Sequence, residues 1–496
     1  MRSLIVLLIA ILIANFTNGD FWKMRESLIE REKNHVLGAS IVLSDQEELV
    51  NKLLMSYKLQ ELDEAYQNPA NFAPSKYFFH TRAKIENSPV YKLLRLMPKG
   101  GALHGHSTAL ATPDFLHGLT YKDNLYGCRL NGVFQLRFLQ NGNQDNTCKW
   151  KLIDTLRKMD LNFDEWLRSQ FVMFRENFNE IYRNENQIWS IFERTFTTAR
   201  GLVTHRPVFE EYFYEALRLL YDDNVMYLEF RSTLPQLYEL NGTTYKSEDT
   251  LQFYQSVIGK FMEGHPKFIG ARLIYAPYRN NDNVTFNAIS TTLYNIQMRY
   301  PTILAGFDLV GHEDSGTSLL KYAWEVKRIA KLGINFYFHA GETIWYQSDT
   351  DYNVIDAILL GSKRIGHALG LTKHPVALEM IKERNIPIEV CPISNQVLLY
   401  VDDLRNHPAS FLIANGFPIV ISYDDPSAWN VTGLSYDFYM TFMAIAGRGA
   451  DLKLLKQLSI NSILYSSLSL NERKVALKSW EADWDSFIKN IHLLKF

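Results

Sequence analysis

The chain has 496 residues, 47% of them hydrophobic and 21% charged, which is enough to bury a large core as two or three domains or as one large barrel with additions. A formal net charge of -2 gives no electrostatic reason to expect a nucleic-acid partner. The sequence shows no internal repeat, low-complexity tract or long charge run.

Residues 1–19 read as a cleavable secretory leader: an arginine in MRS, the unbroken apolar run LIVLLIAILIA, then small residues at Thr17 and Gly19. The run is short for a bilayer span, an uncleaved anchor being the alternative. The mature chain is expected to begin near Asp20, to be secreted and extracellular, and to have no transmembrane segment. Amphipathic helical patterns such as DQEELVNKLLMSYKLQELDEAY fill the stretch up to residue 94. GGALHGHSTA then places His104 and His106 two positions apart, where strand geometry sends both to one face. A metal pair and two polar residues at a strand end both fit that spacing.

Cys128 and Cys148 flank GVFQLRFLQNGNQDN, a hairpin followed by a loop, and in an oxidising compartment they can form one local disulfide. Cys391, in IPIEVCPIS, reads as a buried free thiol. Asn241, Asn283 and Asn430 each open an N-x-[ST] glycosylation triplet, as in a glycoprotein.

Beyond residue 95 one grammar repeats: a short β-branched or aromatic run, a polar cluster, then a stretch of helical period. The runs are GGALHGH, NVMYLEFRS, FIGARLIYAP, ILAGFDLVGHED, GINFYFHAGE, RIGHAL, IPIEVCPISN and FPIVISYDDP. Apolar strands alternating with helices such as SLLKYAWEVKRIAKL and PVALEMIKERN imply a parallel sheet covered by helices. Eight such units close an α/β fold of the (β/α)8 TIM-barrel type. An open doubly wound sheet is the alternative, but no glycine-rich phosphate turn opens the series. His104, His106, Asp308, Glu313, His339, Glu342, His367, Asp424 and Asp425 all fall within or just after these runs. In a barrel, those carboxyl ends meet at one mouth.

That mouth is expected to hold one zinc ion per subunit. His104, His106, His339 and Asp424 supply three imidazoles and one carboxylate, and a catalytic zinc keeps a further position for water, whose pKa it lowers to about 7. No CxxC pair offers a thiolate site, and ILAGFDLVG lacks the lysine that bridges two metals in many barrel hydrolases. Glu342, three residues after His339, is the expected general acid/base. His367 is expected to orient the attacking hydroxide and to stabilise developing charge. At the turn forced by Pro426, Asp424 meets the metal and Asp425 the substrate.

PKGGALHGH, FDLVGHED, HAGET, RIGHAL, EVCPISNQ and SYDDP, in that order, resemble the adenosine deaminases of the metal-dependent amidohydrolase superfamily. The leader and extensions bring the likeness closest to the secreted subgroup, the adenosine-deaminase-related growth factors. The resemblance implies the same zinc ligands, Glu342 as proton donor to N1 of the purine and His367 as partner of the hydroxide. It also implies Gly311 contacting N3 through its backbone, Asp425 accepting a hydrogen bond at N7, and Trp189 lining the nucleoside pocket, although Trp189 by itself reads equally as core. The implied reaction converts adenosine, and 2'-deoxyadenosine, to inosine and ammonia. Residues 20–94 resemble the segment through which these enzymes form homodimers; a capping helix pair without a partner is the alternative. Residues 118–172 resemble a disulfide-stapled insertion proposed to bind a cell-surface receptor or glycosaminoglycan. That leaves 95–117 and 173–496 as the catalytic barrel. Where the family carries an aspartate on the ribose hydroxyl, this chain has Ser107, which implies retained chemistry with altered sugar recognition. A non-catalytic growth factor predicts damage among the ligands, and none is visible. Deamination of adenosine monophosphate needs a basic phosphate clamp and an intracellular address. A lectin-like role for the insertion alone leaves the metal residues unexplained.

Overall fold

All eight apolar runs contain strands. They are β1 (Gly100–Ala102), β2 (Val225–Ser232), β3 (Gly270–Tyr275), β4 (Leu304–Phe307), β5 (His339–Ala340), β6 (Ile365–His367), β7 (Ile388–Val390) and β8 (Ile419–Ile421). A computed structural model describes residues 18–140, 148–174, 184–280 and 283–491, so most of the leader expected at 1–19 lies outside the described residues. β1 to β4 form one parallel sheet and β5 to β8 a second, each in sequence order. Every residue of β2 is buried, as a strand covered on both faces must be. The covering helices bury single stripes; in Arg206–Asp222 the buried stripe includes Val208, Phe209, Tyr212, Phe213, Ala216, Leu217 and Leu220.

The expectation of one closed eight-stranded ladder is corrected here: the two sheets are separate. They meet at isolated bridges, Gly105 with Asp424 on one side and Phe307 with Phe336 on the other. The ladders stop because the chain leaves extended geometry early. β5 has two residues, and Gly341 (φ 75°), His367 (φ 60°) and Asp424 (φ 57°) take left-handed conformations just where a ladder would continue. Backbone hydrogen bonds still stitch one seam, His106 N–H to Asp424 O (3.2 Å) and Asp424 N–H to His104 O (3.1 Å).

Between residues 118 and 172 lie a hairpin, Leu125–Leu130 against Val133–Phe138, and a third strand, Lys151–Leu152. Its two-residue turn is Asn131-Gly132, both at positive φ, the pairing such a turn favours. Cys128 and Cys148 form the disulfide, and Cys391 is free and buried. Residues 141–147, where the sequence predicts a loop, are outside the described part.

The helix Asp45–Gln67 starts on a capping box between Ser44 and Glu47. It docks on the C-terminal helices: Glu47 receives hydrogen bonds from Lys456 (2.6 Å) and the Trp484 indole (2.7 Å), and Lys58 Nζ donates to Gly447 O and Ala450 O. No helix among the described residues is long and apolar enough to cross a membrane. Asn241 is exposed in a turn, whereas Asn430 is half-buried in a left-handed cap after the helix Pro426–Trp429.

Candidate active site

At the carboxyl ends of the strands lies a cavity of about 280 Å³. His106, His339, Glu342, His367, Asp424, Asp425, Gly311, Trp189 and Ser107, every one a residue singled out from the sequence, face it. His104 is fully buried beneath. β1 ends at Ala102, earlier than the sequence pattern suggests, but Gly105 and His106 remain extended enough to bridge Asp424 and Arg231. The two histidines therefore keep one face, with their Nε2 atoms 3.3 Å apart. Asp424 Oδ1 lies 3.2 Å from His104 Nε2 and 2.9 Å from His106 Nε2. Asp424 takes a left-handed φ, whereas Asp425 (φ -118°) stands at the N-cap position of the next helix without a side-chain capping bond.

The chemistry of these atoms shows what the site lacks. His104 Nδ1 faces Glu389 Oε2 (2.7 Å) and His339 Nδ1 faces Asp308 Oδ2 (2.6 Å). A carboxylate only accepts, so both Nδ1 atoms carry a proton, and in the neutral rings that metal binding requires both Nε2 atoms present lone pairs. Two imidazole lone pairs thus share a buried space with the Asp424 carboxylate, whose Oδ1 has no hydrogen-bond partner. Acceptors this close repel unless a cation lies among them. Among the described residues, His104, His339, His367 and Asp424 bring ligand atoms within 4.8 Å of one another, and His106, Asp424 and Asp425 form an overlapping group. The set fits a divalent metal such as zinc, bound by nitrogen and oxygen donors.

Behind the histidines lies a layer that sequence reading largely missed. Arg231 donates from Nε to Asp308 Oδ2 (2.7 Å) and from Nη2 to Glu389 Oε2 (2.7 Å). Arg364 donates to Glu389 Oε1 (2.6 Å) and Glu229 Oε2 (2.7 Å). All five side chains are buried, two cations against three carboxylates, an excess of negative charge that favours a cation in front of them. The arginines hold the Glu389 carboxyl well below the usual range, although burial alone would raise it. One signal was legible: a glutamate inside the apolar run IPIEVCP needs a buried partner.

Glu342 is held in a turn by Glu313, which accepts from the Gly341 and Glu342 amides (3.0 and 2.7 Å) and from Asn353 (2.6 Å). Burial, and then the nearby Asp424 and Glu313 charges, push the Glu342 carboxyl well above its ordinary pKa. Burial and the Asp424 charge do the same to Asp425. Burial lowers His339 to about 3 and keeps His367 well below its usual value. Trp189 stacks on His312 (4.7 Å between ring centroids, 15° between planes) and donates its indole N–H to Tyr400 (2.8 Å), which fixes it as a cavity wall. Glu193, one turn further along the same helix, also faces the cavity and was not singled out from the sequence.

Comparison with known proteins agrees with this chemistry. A family model described as adenosine deaminase matches residues 163–481, and one described as adenosine/AMP deaminase N-terminal matches residues 4–94. An adenosine deaminase of Phlebotomus duboscqi is 43% identical over 478 residues, covering 95% of this chain and 92% of that protein. Adenosine deaminase 2 of Homo sapiens is 41% identical over 499 residues, covering 99% of this chain and 98% of that protein. Among solved structures, an Arabidopsis N6-mAMP deaminase superposes with a TM-score of 0.57 at 14% identity, over 79% of this chain and 99% of that one. An adenine deaminase from Arthrobacter aurescens gives 0.57 at 17% identity, over 78% and 98%. At those identities the structures speak for the fold alone. With its mixed α/β architecture, its buried histidine–aspartate metal group and relatives matching over almost its full length, the chain belongs to the adenosine deaminase family.

Proposed function

We propose that this chain is an extracellular, zinc-dependent enzyme that deaminates adenosine, and 2'-deoxyadenosine, to inosine and ammonia. The observation that carries the reading is the buried cluster of His104, His339, His367 and Asp424, whose ligand atoms lie within 4.8 Å of one another, with His106 Nε2 2.9 Å from the orphaned Asp424 Oδ1. When bound there, a zinc ion supplies a water acidic enough to lose its proton near neutral pH. The protein supplies the rest. Glu342, protonated by virtue of its raised pKa, gives a proton to N1 of the purine as water adds to C6 and ammonia leaves. Gly311, which lines the cavity, is read as the backbone contact to N3. N7 carries a lone pair and no hydrogen, so Asp425 must donate to it, not accept as the resemblance implied; its raised pKa keeps the proton it needs. Trp189 closes the wall beside the base, and His367 stands beside the attacking oxygen.

The two sheets, bridged at both edges, are read as one barrel over 95–117 and 173–496. Residues 20–94 are read as the homodimer segment. Phe21, Trp22, Met24 and Leu28 are all more than half exposed, an apolar face that a second copy would cover. Residues 118–172, stapled by the disulfide, are read as the surface for a receptor or glycosaminoglycan. The disulfide and the exposed Asn241 support secretion.

The test is absorbance at the purine band as purified protein meets adenosine. Turnover is expected, its loss on adding a chelator, and its return with zinc. Elemental analysis should show one zinc per subunit; active protein without a divalent metal overturns the reading.

Ser107 makes the sugar side specific to this chain. It is buried at the cavity wall, its amide donates to Arg231 O (2.8 Å), and its hydroxyl lies against the Tyr254 hydroxyl. A charged hydrogen bond exceeds a neutral one by about 1 kcal/mol, roughly fivefold in affinity. Ser107→Asp is therefore expected to raise kcat/KM for adenosine by about that factor, and to leave unchanged either the 2'-deoxy or the 5'-deoxy analogue, whichever lacks the contacted hydroxyl. Identical ratios for all three substrates would remove Ser107 from sugar recognition.

A further inference from the structure

Behind His367 lie two buried residues with no role so far, Asn395 and His407. Their hydrogen bonds have a direction that can be read from one end. The Ala409 backbone N–H donates to His407 Nδ1 (3.0 Å). A backbone amide cannot accept, so that nitrogen holds a lone pair and the neutral ring carries its proton on Nε2. Burial keeps the ring neutral, lowering its pKa to about 3. Nε2 lies 3.0 Å from Asn395 Oδ1, and an N–H must meet oxygen, which fixes the amide orientation without reference to the side chain beyond. The NH2 group of Asn395 then faces His367 Nδ1 at 3.1 Å and donates to it. The last proton has one place left, His367 Nε2.

That nitrogen is buried and has no hydrogen-bond partner among the described residues; the nearest carboxylate oxygens, Glu342 Oε1 and Asp424 Oδ2, stand 3.6 and 3.8 Å away. Asn395 is held at both ends of its backbone: its N–H donates to Cys391 O (3.0 Å), and its carbonyl accepts from the Tyr400 and Val401 amides (3.0 Å each). The strained left-handed φ of His367 (60°) aims its ring along this line.

We propose that Ala409, His407 and Asn395 form a directional hydrogen-bond relay that locks His367 in its Nε2–H tautomer, so that His367 meets the reacting oxygen as a fixed donor and not as a base. The inference rests on the reading that places His367 beside that oxygen. Asn395 and His407 are positioning residues: they touch no substrate, and no proton moves along the relay. One consequence concerns the metal. An Nε2–H has no lone pair to give, so His367 stays outside the ligand set, which leaves His104, His106, His339 and Asp424.

The test is the nitrogen NMR spectrum of the zinc-loaded enzyme carrying 15N-histidine, with His367 assigned by its loss in His367→Ala. A proton-bearing Nε2 and a lone-pair Nδ1 are expected. Asn395→Asp offers only acceptors to both rings, so His367 must then protonate Nδ1. The tautomer signal should change, and kcat for adenosine should fall at least about tenfold, with KM within about threefold and zinc content unchanged. His407→Gln, whose amide still donates to Asn395 Oδ1, should keep the tautomer and a kcat within about threefold of wild type. A proton on His367 Nδ1 in the wild type overturns the relay. So does an Asn395→Asp enzyme with wild-type kcat, or one whose kcat falls without a change of tautomer. If Asn395→Asp does not fold, the wild-type spectrum decides. Failure of the deaminase reading is distinguishable, because it appears as a wild type that does not turn over adenosine, whatever its tautomer.

Discussion

Glu342→Gln is expected to lower kcat for adenosine by about 10²–10⁴-fold while the protein keeps its zinc and its melting temperature. The amide is isosteric with the protonated carboxyl and can still donate a hydrogen bond, but it cannot give its proton away. The site favours that state: burial and the neighbouring Asp424 and Glu313 charges raise the Glu342 carboxyl well above its ordinary value. In the wild type, turnover should accordingly decline as pH rises through that raised value and the acid form is lost. Glu342 is also not among the residues whose ligand atoms cluster, so metal content should be indifferent to the change. Elemental analysis and steady-state rates on one preparation separate the possibilities. Loss of zinc together with rate would make Glu342 a ligand and not the acid; an unchanged kcat would remove it from the proton path altogether.

Arg231→Met is expected to have the largest effect on stability. It deletes the cation shared by Asp308 and Glu389, each of which holds one histidine. Two carboxylates remain in a dry interior with their charge less compensated, and breaking a buried pair in this way costs about 3–5 kcal/mol. Outer partners of ligand histidines also tune the site, and their loss weakens metal binding about 10–100-fold. Denaturant unfolding and competition with a zinc chelator measure the two effects separately. The sign with pH follows from Glu389. Its folded pKa is depressed, so the stability it contributes is present above the unfolded value of about 4.3 and is lost as pH falls toward the folded one. In Arg231→Met the acid limb of the stability curve should be shallower. A variant with the wild-type midpoint and zinc affinity would mean that Arg364 and the backbone suffice to hold the network.

Much of the site was legible because its chemistry is local in sequence. Each reactive residue lies within or just beyond an apolar run, and strand geometry alone places His104 and His106 on one face, a relation that survives although β1 ends at Ala102. The disulfide, the strand series and the ligand types follow from residue identity and spacing in the same way. What spacing cannot carry is direction between distant segments. Glu389 reads as an oddity in an apolar strand until folding sets it against His104, 285 positions away, with Arg231 and Arg364 on its other oxygens. Asp425 reads as an acceptor from its identity alone, whereas burial beside Asp424 pushes its carboxyl up, toward the form that donates. The sequence by itself determined which groups are present and at which end of the strands they gather. Only the tertiary structure decided which nitrogen of each histidine carries the proton and where the ladders break, because both depend on partners and backbone turns that meet only when the chain is closed on itself.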